Sequence, residues 1–320
     1  MNLKKLMKII RKNKTFLVAT HINPDPDALC SELALAGFLN SLGKKVSIIN
    51  EEKVPQRFVF LPGSRQIRVW ESVKNGPRFD AAVILDCGDL GRIGKVRNLL
   101  SSETTLVNID HHLTNDYFGD FNLVDSNASS TTEVIYELLK KNHYKLNQKE
   151  AMLLYVGIMT DTGSFRYENT TARTHQIVSD LMRFKLSPFD LYRRIYESIP
   201  LNDLAIFTKV MNDFDVLFKG KVIAVDLPKR VISKFSDEFD LRDTIFKYVR
   251  SVKGVEAIVI FTEVSPRKTR VNLRSSGKIN VGKLAYLFKG GGHRAASGCV
   301  LDKNMKQARR IIFTEMKKIF

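Results

Sequence analysis

Short apolar runs punctuate the first half of the chain, and a histidine or an aspartate follows each of them closely. Phe16–Ala19 leads to His21, Ala81–Leu85 to Asp86, Leu106–Ile109 to Asp110, and Leu153–Met159 to Asp161. Runs this short, bounded by polar residues, read as buried strands, whereas the longer apolar stretch from Leu146 to Met159 reads as a buried helix. Elsewhere the spacing is helical. Leu3, Leu6, Met7 and Ile10 recur among lysines as one face of an amphipathic helix, and Val134–Lys140 follows the polar quartet Ser129 to Thr132. Asn23-Pro24-Asp25-Pro26 is a loop, because proline fixes its own φ and extends the residue before it. Asp27 then stands at the start of a helix over Ala28–Leu42 that stops at Gly43. With Phe16–Thr20, Val46–Asn50 and Ala81–Leu85 as strands, this alternation predicts an α/β fold with a doubly wound, mostly parallel sheet.

The pattern changes after about residue 185. Leu191, Ile195, Leu204, Phe207 and Val210 give a looser helical spacing interrupted at Pro200, and a second α/β pattern follows. Its strands are expected at Lys221–Asp226, Ala257–Thr262 and Thr269–Leu273, ahead of a glycine run at 290–292 and a basic helix from Lys303. The expected organisation is a first domain over 1–187, a helical linker over 188–212 and a smaller α/β domain over 213–320, with a cleft between the two domains.

In open α/β sheets ligands bind outside the carboxyl ends of the strands. His21, Asp25, Asp27, Asp86, His111 and Asp161 would converge there, with Asp86, His111 and Asp161 arriving from separate strands. A convergent set of carboxylates and imidazoles reads as a metal site. It offers more ligands than one ion needs. Two divalent ions roughly 3.5–4 Å apart and bridged by one carboxylate would use them all, the arrangement suited to in-line displacement at phosphorus. Their four positive charges would balance Asp25, Asp27, Asp86 and Asp161. Mixed O and N ligation without cysteine suits Mn²⁺ better than Zn²⁺, and Mg²⁺, Fe²⁺ and Co²⁺ also fit.

Composition narrows the choice of partner. The formal charge is +17, from 51 Lys and Arg against 34 Asp and Glu. Because several of those acids belong to the cluster, the remaining surface is strongly cationic and favours polyanions. Three dispersed cysteines, Cys30, Cys87 and Cys299, point to reduced thiols and a cytoplasmic protein. Phe16–Ala19 is too short for a signal-peptide core or a membrane span, so no membrane association is expected.

The four clusters together resemble the motifs of the DHH phosphoesterase superfamily: His21-x-x-x-Asp25-x-Asp27, Asp86 in LDCGDLGRIG, Asp110-His111-His112 in NIDHHLTN, and Asp161 in MTDTGSF. VNLRSSGKINV and GGGHRAASG, further on, resemble the DHHA1 domain of one branch, and the similarity is greatest to the nanoRNase type, the bifunctional oligoribonucleases and 3′-phosphoadenosine 5′-phosphate (PAP) phosphatases. The resemblance implies that His21, Asp25 and Asp86 hold one ion and Asp27, Asp86, His111 and Asp161 the other. Asp110 would orient a neighbouring histidine and His112 would face the scissile phosphate. Arg274, Ser275, Gly291, Gly292 and His293 would bind nucleotide and phosphate groups, and Arg92 and Asn115 are further substrate candidates. The partners so implied are short single-stranded RNA, dinucleotides and nucleotide phosphates, with a homodimer as a compatible assembly. Pro26 and Leu113 depart from the family pattern, which commonly has glycine and proline there, and neither removes a ligand.

Simpler roles compete at several positions. A lone Asp25 or Asp27 is an ordinary helix cap, and the glycines at 290–292 suit a turn. His143 and His175 have no motif around them, and strand alternation turns Cys87 into the core. Two other functions compete with the oligoribonuclease: a stand-alone cyclic dinucleotide phosphodiesterase acting on cyclic di-AMP or pApA, and a non-catalytic single-strand binder. The binder's signature, aromatic residues interleaved with basic ones, is missing.

Overall fold

The computed structural model describes residues 3–73, 76–197, 199–236, 239–292 and 294–320. It divides into two compact units, Met1–Ile195 and Tyr196–Phe320. Among the described residues no helix is long and apolar enough to cross a membrane.

The first unit is built on six strands: β1 (Thr15–Ala19), β2 (Lys45–Asn50), β3 (Arg68–Val69), β4 (Ala81–Leu85), β5 (Thr105–Asp110) and β6 (Phe121–Val124). They lie in the order β3-β2-β1-β4-β5-β6, and every pairing is parallel. Parallel strands are covered on both faces and therefore read as continuous apolar runs; β4 is buried at all five positions. One face, with Leu17, Ala19, Ala82 and Ile84, packs on Phe79, Ile93, Val96 and Leu99 from the segments flanking β4. Strand alternation turns Phe16, Val18 and Val83 to the other face.

The helices of this unit are α1 (Leu3–Lys12), α2 (Pro26–Ser41), α3 (Thr131–Lys141), α4 (Gln148–Asp161), α5 (Ala172–Met182) and α6 (Pro188–Tyr196), whose last residue crosses the division. The cap of α2 is Asp25 and not Asp27: its Oδ1 accepts from the Ala28 N–H at 3.0 Å, and Pro26 occupies the first turn, where its missing N–H costs nothing. Gly157 lets α4 pass close to α2 and α3, since a Cβ there would lie 2.8 Å from Asp27 Oδ1 and nearer still to Thr132.

The second unit holds α7 (Leu201–Asn212), β7 (Asp215–Leu217), β8 (Val222–Leu227), α8 (Lys229–Ile232), α9 (Leu241–Arg250), β9 (Ala257–Ser265), β10 (Lys268–Ser275), α10 (Val281–Tyr286), β11 (Gly291–Gly292), β12 (Ala296–Leu301) and α11 (Met305–Met316). Its sheet runs β11-β12-β10-β9-β8-β7, parallel only between β8 and β9. Val259, Phe261, Val271 and Leu273 meet α10 and α11 on one face, while Ile223, Val225, Ile258 and Ile260 meet α7 and α9 on the other. The segment read as connector is thus helical, and α7 adds Phe207 and Val210 to this second core. Arg309 of α11 lies over Phe261 and Phe313 and pairs with Asp226 and Asp215 at 2.6 Å each.

Glu133, in the first turn of α3, is fully buried. It accepts from Ser129 N–H and Oγ and from Thr174 Oγ1, and Arg173 of α5 pairs with it at 3.0 Å while also reaching Asp125 at 2.9 Å. Arg173→Met keeps the apolar stem and leaves the carboxylate buried without its cation. Urea unfolding should then show a loss of about 2–3 kcal/mol, the lower range because the guanidinium is partly solvated. Adding Glu133→Gln should recover part of that loss; no recovery would place the effect elsewhere.

Candidate metal centre

β1 and β4 are neighbours, yet the chain leaves β1 towards β2 and returns to β4 on the other side. That reversal is the topological switch point, where a crevice opens beyond the strand ends. His21 follows β1, Asp86 follows β4, and His111 and His112 follow β5. Asp161 reaches the same place from the last residue of α4, the helix read over Leu146–Met159, and not from a strand end as its place after the short run Leu153–Met159 suggested.

Three sets of side chains bring their ligand atoms within 4.8 Å of one another: His21, Asp25 and Asp86; Asp27, His111 and Asp161; and Asp86, His111 and His112. Asp86 stands between the first two. Its Oδ2 is 3.5 Å from His21 Nε2 and its Oδ1 is 3.6 Å from His111 Nε2. Asp161 Oδ2 approaches His111 Nε2 at 3.3 Å.

Each histidine is anchored through Nδ1. His21 meets the Ile22 carbonyl at 2.9 Å, His111 the Ala128 carbonyl at 3.3 Å and His112 the Asp110 carboxylate at 2.7 Å. A carbonyl can only accept, so Nδ1 carries the proton in the first two rings and Nε2 is the atom that could take a metal. Asp27 is gripped by the N-terminus of α3: its Oδ2 accepts from Thr131 N–H at 2.7 Å, and its Oδ1 from Thr132 N–H at 3.0 Å and Thr132 Oγ1 at 2.6 Å. Thr131 Oγ1 donates to Asp86 Oδ1 at 2.8 Å. A carboxylate has about four lone-pair sites, so each of these acids keeps capacity for a cation.

The electrostatics describe a site short of positive charge. Burial, and then the neighbouring Asp86 charge, push Asp27 up to about 7, and burial raises Asp161 well above the usual carboxylate range. Burial opposes the charging of His21 and His111, but the Asp86 hydrogen bond and nearby carboxylates hold His21 up to about 9, and Asp161 and Asp86 hold His111 up to about 9. Asp86 moves down despite its burial, through the hydrogen bond with His21 and the His111 and His112 charges. Protons occupy the cluster where cations would otherwise balance it. The donor set fits hard or borderline divalent ions.

Asp110 is outside the three sets. It is fully buried and its Oδ1 accepts from both His111 N–H, at 2.8 Å, and His112 Nδ1. Asn115, a substrate candidate from sequence, is buried instead, and its amide donates to Asp110 Oδ2 at 2.6 Å. Arg92 is half-buried beside the cluster, where its charge disfavours protonation of His21. In the second unit, the Arg274 guanidinium lies 4.8 Å from the centre of the Phe246 ring. Ser275 Oγ donates to Ile279 O at 2.6 Å and accepts from Gly277 N–H, which gives it a turn to hold. Gly291 and Gly292 form the exposed strand β11, and His293 lies outside the described residues. Sequence reasoning missed Thr131 and Thr132 as supports of Asp27 and Asp86; the polar quartet Ser129 to Thr132 signalled a helix start but not these partners.

A divalent ion must displace the protons on Asp27, His21 and His111. Mn²⁺ affinity measured by calorimetry should therefore rise between about pH 6 and about pH 8, with net proton release seen as a dependence of the heat on the buffer. Affinity independent of pH over that range would remove these residues as the ligand set.

Residues 15–158 match the profile of the DHH family, N-terminal domain, and residues 229–318 that of the DHHA1 domain. The bifunctional oligoribonuclease and PAP phosphatase NrnA of Bacillus subtilis is 31% identical over 302 residues, 92% of this chain and 91% of that one. The protein of the same description from Thermus thermophilus is 28% identical over 286 residues, 89% and 83% of the two chains. Among solved structures, an exopolyphosphatase-related protein from Bacteroides fragilis superposes with a TM-score of 0.91 at 26% identity, covering 99% of this chain and 95% of that chain. Matched at both ends, and similar over nine-tenths of its length to such relatives, the chain belongs to the DHH family of phosphoesterases and carries the family's DHHA1 domain.

Proposed function

We propose that this protein hydrolyses short oligoribonucleotides to mononucleotides and 3′-phosphoadenosine 5′-phosphate to AMP, with two divalent ions, Mn²⁺ by preference. The observation that carries the reading is Asp86, whose two oxygens face separate histidine-bearing ligand groups. His21, Asp25 and Asp86 would hold one ion, and Asp27, Asp86, His111 and Asp161 the other. Bound there, the pair would supply Lewis-acid polarisation of phosphoryl oxygens and a nucleophile from water at neutral pH.

The protein's own groups do the rest. Burial opposes charge on His112, but the Asp110 hydrogen bond raises its pKa, which favours an imidazolium that donates to a phosphoryl oxygen as charge develops. Arg92 adds positive charge beside the cluster. Arg274, whose guanidinium lies over the Phe246 ring, and the glycines of β11 with His293 would hold the nucleotide. The excess of cations recruits a polyanion through screened charge. Three buried, unbridged cysteines suit the cytoplasm.

The test is a panel of two- to twelve-residue RNAs, pApA, PAP and cyclic di-AMP incubated with the purified protein and Mn²⁺. Release of mononucleotides from the short RNAs and of AMP from PAP is expected, and turnover confined to cyclic di-AMP would overturn the reading. Asp86→Ala should abolish hydrolysis and weaken both metals in calorimetry, whereas His143→Ala, at an exposed histidine just after α3, should leave activity unchanged. Substantial turnover by the Asp86 variant would remove the bridging role.

The substrate-holding role has its own check. Arg274→Ala should leave Mn²⁺ stoichiometry intact and lower kcat/KM on pApA by at least roughly tenfold, the scale of a lost charge-assisted contact, and Arg274→Lys should recover little because ammonium lacks the planar fork. Unchanged kcat/KM would assign that role to other residues.

A further inference from the structure

Asn108 is a polar residue between the buried Val107 and Ile109 of β5, and its side chain is fully buried. Burying an amide is costly unless every polar atom finds a partner, and here the partners form a series. Asn108 Nδ2 lies 3.3 Å from Ile84 O and 3.2 Å from Cys87 O, both acceptors, so its Oδ1 can turn only towards a donor. That donor is Asn115 Nδ2 at 2.8 Å. The same nitrogen donates to Asp110 Oδ2 at 2.6 Å, while Asn115 Oδ1 accepts from Tyr117 N–H at 2.7 Å. Flipping the Asn115 amide would set oxygen against both Asn108 Oδ1 and the carboxylate, so the network dictates its orientation. Asp110 closes the series on His112 Nδ1.

We propose that Asn108 is a positioning residue for hydrolysis. By fixing the Asn115 amide it holds the Asp110 carboxylate in line with His112 Nδ1, so that the ring presents Nε2 to the phosphate. Together with Asn115 Nδ2, 3.3 Å from the same carbonyl, its bond to Cys87 O holds the turn that carries Asp86 in a left-handed backbone, φ 54°. A leucine or valine would fill the same strand position without any desolvation penalty. The amide's specific effect is transmitted to the imidazole. The inference rests on His112 facing the phosphate, as in the function proposed above.

The experiment compares Asn108→Ala, Asn115→Ala and the double variant, with Asn108→Thr as a strand-compatible substitute should the alanine fail to fold. Each single change should lower kcat on pApA by roughly 10- to 100-fold, the range seen for outer-shell supports, with KM and Mn²⁺ stoichiometry little changed. The double variant should be no worse than the poorer single one, because the residues act in series. In the metal-free protein, the hydrogen-bonded Nδ1 proton of His112 should give a slowly exchanging downfield NMR signal that both single variants lose. Additive penalties, a rise in KM in place of the fall in kcat, or persistence of that proton signal in the Asn108 variants would overturn the proposal. Should the wild-type protein leave pApA and short RNA intact, the proposed function fails, while the proton signal still tests the coupling from Asn108 to His112.

Discussion

The carboxylate of Asp86 is a negative charge buried at the switch point of a parallel sheet, and the first unit is organised around it. A lone ion in that position would be neutralised by a proton. Asp86 stays ionised because His21, His111 and His112 surround it and Thr131 donates to it, while Asp27 and Asp161 nearby are driven towards their neutral forms. Like charges crowded together can coexist only with cations among them. The protein therefore assembles the site at an electrostatic penalty that protons relieve in part and divalent ions would relieve more fully.

That penalty explains the supporting structure. The N-terminus of α3 points two backbone N–H groups at Asp27, a favourable use of the helix dipole. Glu133 and Arg173 hold the start of α3 from behind, and Gly157 lets α4 come close enough to bring Asp161 in. Asn169 Nδ2 ties Ser129 O to Asp161 O, joining the segments that carry the two supports. None of these residues is a ligand, yet each restricts where a ligand side chain can go.

Most of the first sheet was legible because buried parallel strands are written as apolar runs, and His21, Asp86 and Asp110 stand where those runs stop. β3 and β6 were not, being two and four residues long, without a distinctive run. The spacing of Asp25-Pro26-Asp27 showed a helix start but not which aspartate caps it, since the two side chains are identical; the proline in the first turn gives the role to Asp25. Leu153–Met159 is apolar on every side, which suits a strand ending near Asp161 as well as the buried helix that the longer stretch from Leu146 predicts; the helix forms, and Asp161 is its last residue. The bonds from Thr131 and Thr132 to Asp27 join residues more than a hundred positions apart, and no local pattern encodes such a pairing. Asn115 shows the same limit: a polar residue after a motif can meet substrate or hold the motif, and only its burial separates the two.

The loops themselves show how the side chains are aimed. His21 is followed by Asn23 at φ 55°, Asp86 sits at φ 54°, the loop after His112 contains Tyr117 at φ 56°, and Asp161 is followed by Gly163, Ser164 and Phe165 at φ 56°, 62° and 65°. Left-handed backbone costs of order 1–3 kcal/mol at each non-glycine residue that adopts it under constraint, with Asn and Asp at the tolerant end. Asp86 and the Gly163–Phe165 turn thus bend the chain just where β4 and α4 end. An unstrained exit would carry the chain onward, past the crevice; the reversal keeps successive side chains directed back over the strand ends. Such turns persist only where a rigid scaffold over-determines them, and here the buried sheet, the Asn108 and Asn115 amides and the α3 N-terminus supply that scaffold. Stability in the core and strain in the loops are two sides of one arrangement, in which packing energy holds charged groups where, left to themselves, they would move apart.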